Sequence, residues 1–315
     1  MHGDRTQIEG RTQVEMPSAA DAIGVFDSGV GGLTVLHECL VNMPHEDFIY
    51  LGDTGSFPYG PKSLEQVRKL AFRNASFLVA RGVKLIVVAC NSAAAAALAQ
   101  LQESFATPIV GVVMPGARAA VQETRNRRVG LLATEATVSS GSYQRALETL
   151  DAGLQVTAVA CPRLAPMIQE GDVFSEEIEE AVREYVAPLK EADVDTVILG
   201  CTHYPLLSPM LRRLLGPRVA LINSAEEIAR EVAEILERRG MANRPDREGS
   251  YRFFSTGDPE QFRTVGRRFL QLPIREVSFW DGTDKPAAKP AAARGRKEDH
   301  TKESTARVAG GRRER

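Results

Sequence analysis

The chain has 315 residues, 43% of them apolar and 25% charged, with a formal net charge of −2. That length suits two domains of ordinary size, each burying its own core. The near-neutral balance points to neither nucleic acid nor membrane, and no stretch approaches the roughly 20 apolar residues that span a bilayer.

Residues 1–21 read as a disordered leader that lacks the apolar run of a secretory signal. From Ala22 onward the pattern becomes strand, turn and helix, repeated. A strand at 23–26 enters the glycine-rich turn Asp27-Ser28-Gly29-Val30-Gly31-Gly32, and a helix at 33–40 follows. A strand at 47–51 ends in a loop containing Pro58-Tyr59-Gly60-Pro61. An amphipathic helix is predicted at 63–80, with Ser63 as its N-cap and Gln66 three residues on. A strand at 84–89 runs into Cys90, a helix at 91–104 follows, and another buried strand lies at 109–113.

The second half repeats the alternation. It has a strand at 128–133, a loop at 134–137, a helix at 139–150 and a strand at 155–160 ending at Cys161. A helix at 175–190 precedes a strand at 196–200 that runs into Cys201, and 204–215 is helical. A strand at 219–222, a periodic helix at 225–239, a strand at 252–255, a helix at 259–270 and a last strand at 276–280 complete the pattern. Residues 284–315 lose all apolar periodicity and read as a disordered, net-basic tail. A second function class attaches to that tail, a nucleic-acid-binding protein. A short charged tail is ordinarily just solvated, so nucleic acid is not the expected partner.

Apolar strands alternating with helices predict an α/β fold with mainly parallel sheets covered on both faces. In such sheets a ligand lies beyond the carboxyl ends of the strands. Asp27, Tyr59, Cys90, Thr134, Cys161 and Cys201 all follow strand ends. Two short motifs stand out, Ala89-Cys90-Asn91-Ser92 and Gly200-Cys201-Thr202-His203. The chain has only four cysteines, in no zinc-like spacing, which fits a reducing compartment and free thiols. Two thiols in matching contexts suggest a duplicated architecture and proton transfer from both sides of one substrate. A helix start favours thiolate, and both thiols are expected at such starts. The N–H groups of the Asp27–Gly32 turn are expected to bind a carboxylate. His203 can reach the same ligand to move a proton or hold the thiolate. Cys39, Cys161 and Trp280 are expected to pack.

Taken together, these segments resemble the cofactor-independent aspartate/glutamate racemases, and among them the glutamate racemases. The matching segments are 23–33, 51–54 with Pro58-Tyr59-Gly60, 89–93, Thr137-Val138 with Ser140 and Tyr143, 200–206 and 256–258. The resemblance implies two pseudo-symmetric domains with the active site between them: 22–115 plus 224–282, and 116–223. It implies glutamate as the small-molecule substrate, no cofactor, no metal, a homodimer and a cytoplasmic enzyme that supplies D-glutamate for peptidoglycan. Aspartate or another amino acid is the alternative substrate.

Carried over motif by motif, Cys90 takes the α-proton from D-glutamate and Cys201 from L-glutamate. Asp27 assists the first thiol and His203 the second. Asp27, Ser28, Tyr59, Gly60, Asn91, Ser92, Thr202 and His203 bind substrate. The chain also departs from the pattern at Ser92, Met114, Asn223 and Gln169. The family tends to place a glutamate where Gln169 falls, supporting the histidine. Glu170 is the nearest carboxylate for that role, although on a helix it would point about 100° away.

Overall fold

The computed structural model describes residues 18–283. Among these described residues ten strands form two wholly parallel sheets. The first contains β1 (Ile23–Asp27), β2 (Phe48–Gly52), β3 (Leu85–Val88), β4 (Ile109–Gly111), β9 (Tyr251–Ser255) and β10 (Val277–Phe279), in the order β10-β9-β2-β1-β3-β4. The second contains β5 (Arg128–Ala133), β6 (Gln155–Ala160), β7 (Thr196–Gly200) and β8 (Ala220–Asn223), in the order β6-β5-β7-β8. β1, β2, β3 and β7 are buried along their whole length, as unbroken apolar runs in a doubly covered sheet must be.

Helices fill the crossovers. α1 (Leu33–Asn42), α2 (Leu64–Val79), α3 (Asn91–Ser104) and α4 (Val113–Glu123) belong to the first half of the chain. The capping box expected at Ser63 and Gln66 is formed in both directions. α5 (Glu135–Ser140), α6 (Ser142–Leu150), α7 (Leu164–Glu170), α8 (Glu176–Glu191) and α9 (Ser208–Leu215) surround the second sheet. α10 (Ser224–Arg238) returns the chain to the first sheet, and α11 (Pro259–Leu270) joins β9 to β10. Asn223 serves as the N-cap of α10, accepting the N–H of Ala225 at 3.1 Å. Among the described residues no helix is long and apolar enough to cross a membrane.

Three sequence expectations need correction. The strand expected at 109–113 stops at Gly111, and Val113 already opens α4. Pro115 of α4 and Pro166 of α7 are each the third residue of the helix. A first-turn N–H has no intrahelical partner, so proline costs no bond there. The helix expected at 139–150 is two helices joined at Gly141, whose φ of +64° is left-handed. The leader expected to be disordered through residue 21 already forms a turn at Ser18–Asp21, where Asp21 N–H donates to the Ser18 carbonyl. Residues 1–17 and the tail 284–315, with the nucleic-acid reading attached to it, lie outside the described residues.

A buried ion pair fastens the base of the first sheet. Lys84 Nζ meets Glu46 Oε2 at 2.6 Å and also donates to the carbonyls of Ala19 (2.6 Å) and Met241 (2.8 Å). Glu46 Oε1 accepts the N–H of Asn243 at 2.6 Å. One charged pair thus ties the start of the fold and the segment after α10 to β3. Lys84→Met leaves a buried carboxylate without its cation, and urea unfolding should show a loss of about 3–5 kcal/mol. Lys84→Met with Glu46→Leu should recover part of that loss. An unchanged urea midpoint for the single variant would contradict this account.

Candidate active site

Each sheet has one switch point, where consecutive crossovers leave in opposite directions. In the first sheet it lies between β1 and β3, and in the second between β5 and β7. Ligands collect at such points, beyond the carboxyl ends of the strands. Asp27 is the last residue of β1, and Cys90 follows β3. Thr134 follows β5, and Cys201 follows β7. The two thiols therefore occupy equivalent corners of two sheets whose carboxyl edges face each other.

The first corner is built around a buried carboxylate. Asp27 is fully buried and accepts the N–H of Gly29 at 3.0 Å and, more weakly, the Thr202 hydroxyl at 3.4 Å. The N–H groups of Gly32 and Ser28 also face it. The glycine-rich turn, expected to hold a substrate carboxylate, spends these donors on the chain's own Asp27. Burial nonetheless raises the Asp27 carboxyl above its ordinary value. The Ser28 hydroxyl, rather than Asp27, hydrogen-bonds the Cys90 sulfur.

The second corner is built around His203. Its Nδ1 lies 3.8 Å from Cys201 Sγ, and its Nε2 lies 3.2 Å from Gln169 Oε1. An amide oxygen only accepts, so Nε2 carries the proton and Nδ1 offers its lone pair to the thiol. Burial, helped by the charge of Arg268, lowers the histidine pKa to about 3, which keeps the ring neutral. Phe57 and Phe269 pack on its faces, with centroids 5.6 and 5.1 Å away. Glu170 is exposed on the outer side of α7, so the support expected from it comes from Gln169. The 100° step along a helix separates the two residues.

The corners meet. A Cβ added to Gly31 would come within 2.4 Å of the His203 ring and 2.5 Å of Thr202 Oγ1. Only glycine lets the first turn press this closely on the second half. Thr34 Oγ1 reaches the Thr202 carbonyl at 3.1 Å, and Ser92 Oγ reaches Thr134 Oγ1 at 2.8 Å. Asn91 Oδ1 accepts the Tyr143 hydroxyl at 2.7 Å. Cys90, Cys201, Ser28, Asn91, Ser92, Thr202 and His203 line one cavity, roofed by Phe57–Pro61 and by Pro162, Ala165 and Pro166. Its free volume is about 20 Å³, the size of roughly one water molecule. Tyr59 and Gly60 are in the roof, but the Tyr59 hydroxyl turns away to Asp53 Oδ2 and to Asn74 (3.2 Å). A substrate can therefore meet only the ring or backbone of Tyr59.

The description Asp/Glu/hydantoin racemase fits residues 36–232. The glutamate racemase of Geobacter metallireducens is 49% identical over 257 residues, which is 81% of this chain and 95% of that protein. That of Corynebacterium glutamicum is 46% identical over 269 residues, or 85% and 98% of the two chains. The solved structure of a glutamate racemase isoform from Bacillus anthracis superposes with a TM-score of 0.79 at 41% identity, covering 85% of this chain and 99% of that one. The chain belongs to the Asp/Glu/hydantoin racemase family.

Sequence reasoning missed several parts of this racemase's site. Phe57, Ala165 and Pro166 wall the cavity, and Thr134 lines it. Thr134 had a signal, its place after a strand end. The apolar wall had none, because nothing in a Pro-Ala pattern marks contact with a ligand. Among the described residues, no group of three or more His, Cys, Asp or Glu side chains could hold a metal ion.

The expectation that helix starts favour thiolate is overturned. Burial pushes the Cys90 thiol up to about 12, and Asp27 adds to the rise against the hydrogen bonds from Ala93 and Ser28. Burial likewise raises Cys201 well above the usual range, against a hydrogen bond from the His203 backbone. Desolvation of a whole charge outweighs a helix terminus. At pH 8 a thiol with a pKa near 12 is ionised in only about one molecule in ten thousand. The difference in 240 nm absorbance between the free racemase and its Cys90→Ser variant should therefore stay flat up to about pH 10. A thiolate step near pH 8 would refute the dry resting site.

Proposed function

We propose that this racemase interconverts L- and D-glutamate by proton transfer between Cα and two thiols, and that it supplies D-glutamate for peptidoglycan. One observation carries the reading. Two buried thiols from equivalent corners of two sheets line a single cavity with hydroxyl, amide and imidazole groups. Likeness to the glutamate racemases of Geobacter metallireducens and Corynebacterium glutamicum, at 49% and 46% identity, supports glutamate rather than aspartate as the substrate of this chain. The solved relative from Francisella tularensis, 33% identical with a TM-score of 0.78, is described as a complex with D-glutamate.

In this reading one thiolate takes the α-proton while the opposite thiol gives its proton to the other face. The carbon inverts, and the two sulfurs exchange protonation states. Cys201 acts on L-glutamate and Cys90 on D-glutamate. A dry site makes each thiolate a stronger base than it would be in water. The substrate ammonium brings the positive charge that lets a thiolate form beside Asp27. Donors from Ser28, Asn91, Ser92 and Thr202 face the carboxylates, where charge develops as Cα loses its proton. His203, with its Nδ1 lone pair towards Cys201, accepts the hydrogen bond of the thiol and orients the sulfur at the substrate. Entry of glutamate requires the cleft to open, with 22–115 plus 224–282 moving against 116–223.

Pure protein incubated with L-glutamate in deuterated water, without pyridoxal phosphate, should yield D-glutamate carrying deuterium at Cα. Cys90→Ala and Cys201→Ala should each reduce racemisation by at least about a thousandfold. Near wild-type turnover by either variant would sink the two-thiol mechanism.

A further inference from the structure

Helix α7 is gripped from both sides of the cleft. On its own side, the Gln169 side chain accepts the Nε2 proton of His203 at 3.2 Å. On the other side stands Arg268, exposed in the last turn of α11, which joins two strands of the first sheet. Its guanidinium donates to the carbonyl of Gly171 at 2.8 Å and to the carbonyl of Gln169. The last carbonyls of a helix have no intrahelical partner and carry its negative end, so a cation is well placed there. α7 follows β6 and belongs to the second sheet. Both bonds therefore cross from one sheet's half to the other.

The same helix carries the wall. Ala165 and Pro166 close the cavity over the thiols, and Phe269, next to Arg268, packs on His203. With about 20 Å³ free, the site cannot take an amino acid until this wall moves. The Arg268 bonds are suited to breaking, because the side chain is exposed and water can replace its partners. The Gln169–His203 bond is only half-buried and depends on where α7 sits.

We propose that Arg268 is a positioning residue that latches the closed cleft. By holding the C-terminal carbonyls of α7 it seats Gln169 against His203, so the histidine behind Cys201 is fixed only when the cleft is shut. Closure and the orientation of that imidazole become one event. The kinetic part of this inference rests on the proposed glutamate racemisation. The structural part does not.

The test uses Arg268→Met, which keeps the side-chain stem, and Arg268→Lys, which keeps one donor. Cys201 alkylation by iodoacetamide in the substrate-free protein is followed by peptide mass spectrometry. Arg268→Met should react about tenfold faster than wild type, the scale of a charged hydrogen bond, and Arg268→Lys should fall between them. Thermal melting of both variants should match wild type, since Arg268 is exposed. In turnover, Arg268→Met and Gln169→Ala should each lower kcat/KM about tenfold, and the double variant should be no worse than the worse single. Wild-type alkylation rates in Arg268→Met, or losses that multiply in the double variant, would overturn the latch. A wild-type protein that does not racemise glutamate would instead refute the proposed function, while the alkylation result would still decide the latch.

Discussion

The rest of the site depends on keeping two thiols dry while they face each other across a cleft. Parallel sheets end in a row of loops, and a switch point leaves a gap in that row. Two such gaps brought edge to edge form a chamber with a nucleophile in each wall. Burying Cys90 and Cys201 raises both thiols and drives His203 to the neutral ring. These shifts share one cause, the loss of water. Gly31 makes the close approach sterically feasible, because any side chain there would strike His203 or Thr202. Removal of water and the fit of the two halves are thus one property of the fold.

Much of this was legible in the sequence. Short β-branched runs such as Leu85–Val88 and Thr196–Gly200, bounded by turn residues, read as doubly covered strands, which puts the residues after them at the sheet edge. That logic brought Asp27, Cys90, Cys201 and His203 to one place before any coordinates. It failed where two rules compete. α4 and α7 were missed, and each carries a proline in its first turn, Pro115 or Pro166, where a helix tolerates it but its pattern is obscured. Missing α7 hid the apolar wall, whereas Glu170 entered only as the carboxylate nearest to Gln169. The ionisation of the thiols was misjudged for a different reason. A helix terminus is a local feature that sequence shows, whereas desolvation depends on how the halves close, which it does not.

Gln169 carries the last step. A carboxylate at that position would favour an imidazolium at His203, which could only donate towards Cys201. The amide supplies a hydrogen bond without a charge. With burial and Arg268 both disfavouring protonation, the ring stays neutral with its Nε2 proton on Gln169 and its Nδ1 lone pair on the sulfur. In the proposed mechanism that arrangement makes His203 the acceptor of a hydrogen bond from the Cys201 thiol. The bond holds in place the sulfur that, as thiolate, takes the α-proton of L-glutamate. On the opposite wall, Cys90 has the Ser28 hydroxyl beside it and the buried Asp27 nearby, and neither offers a neutral nitrogen base. The chamber is symmetric in its sheets and strand ends but not in the hydrogen-bonding partners of its thiols. That asymmetry rests on one uncharged side chain, held in place by an arginine from the other side of the cleft.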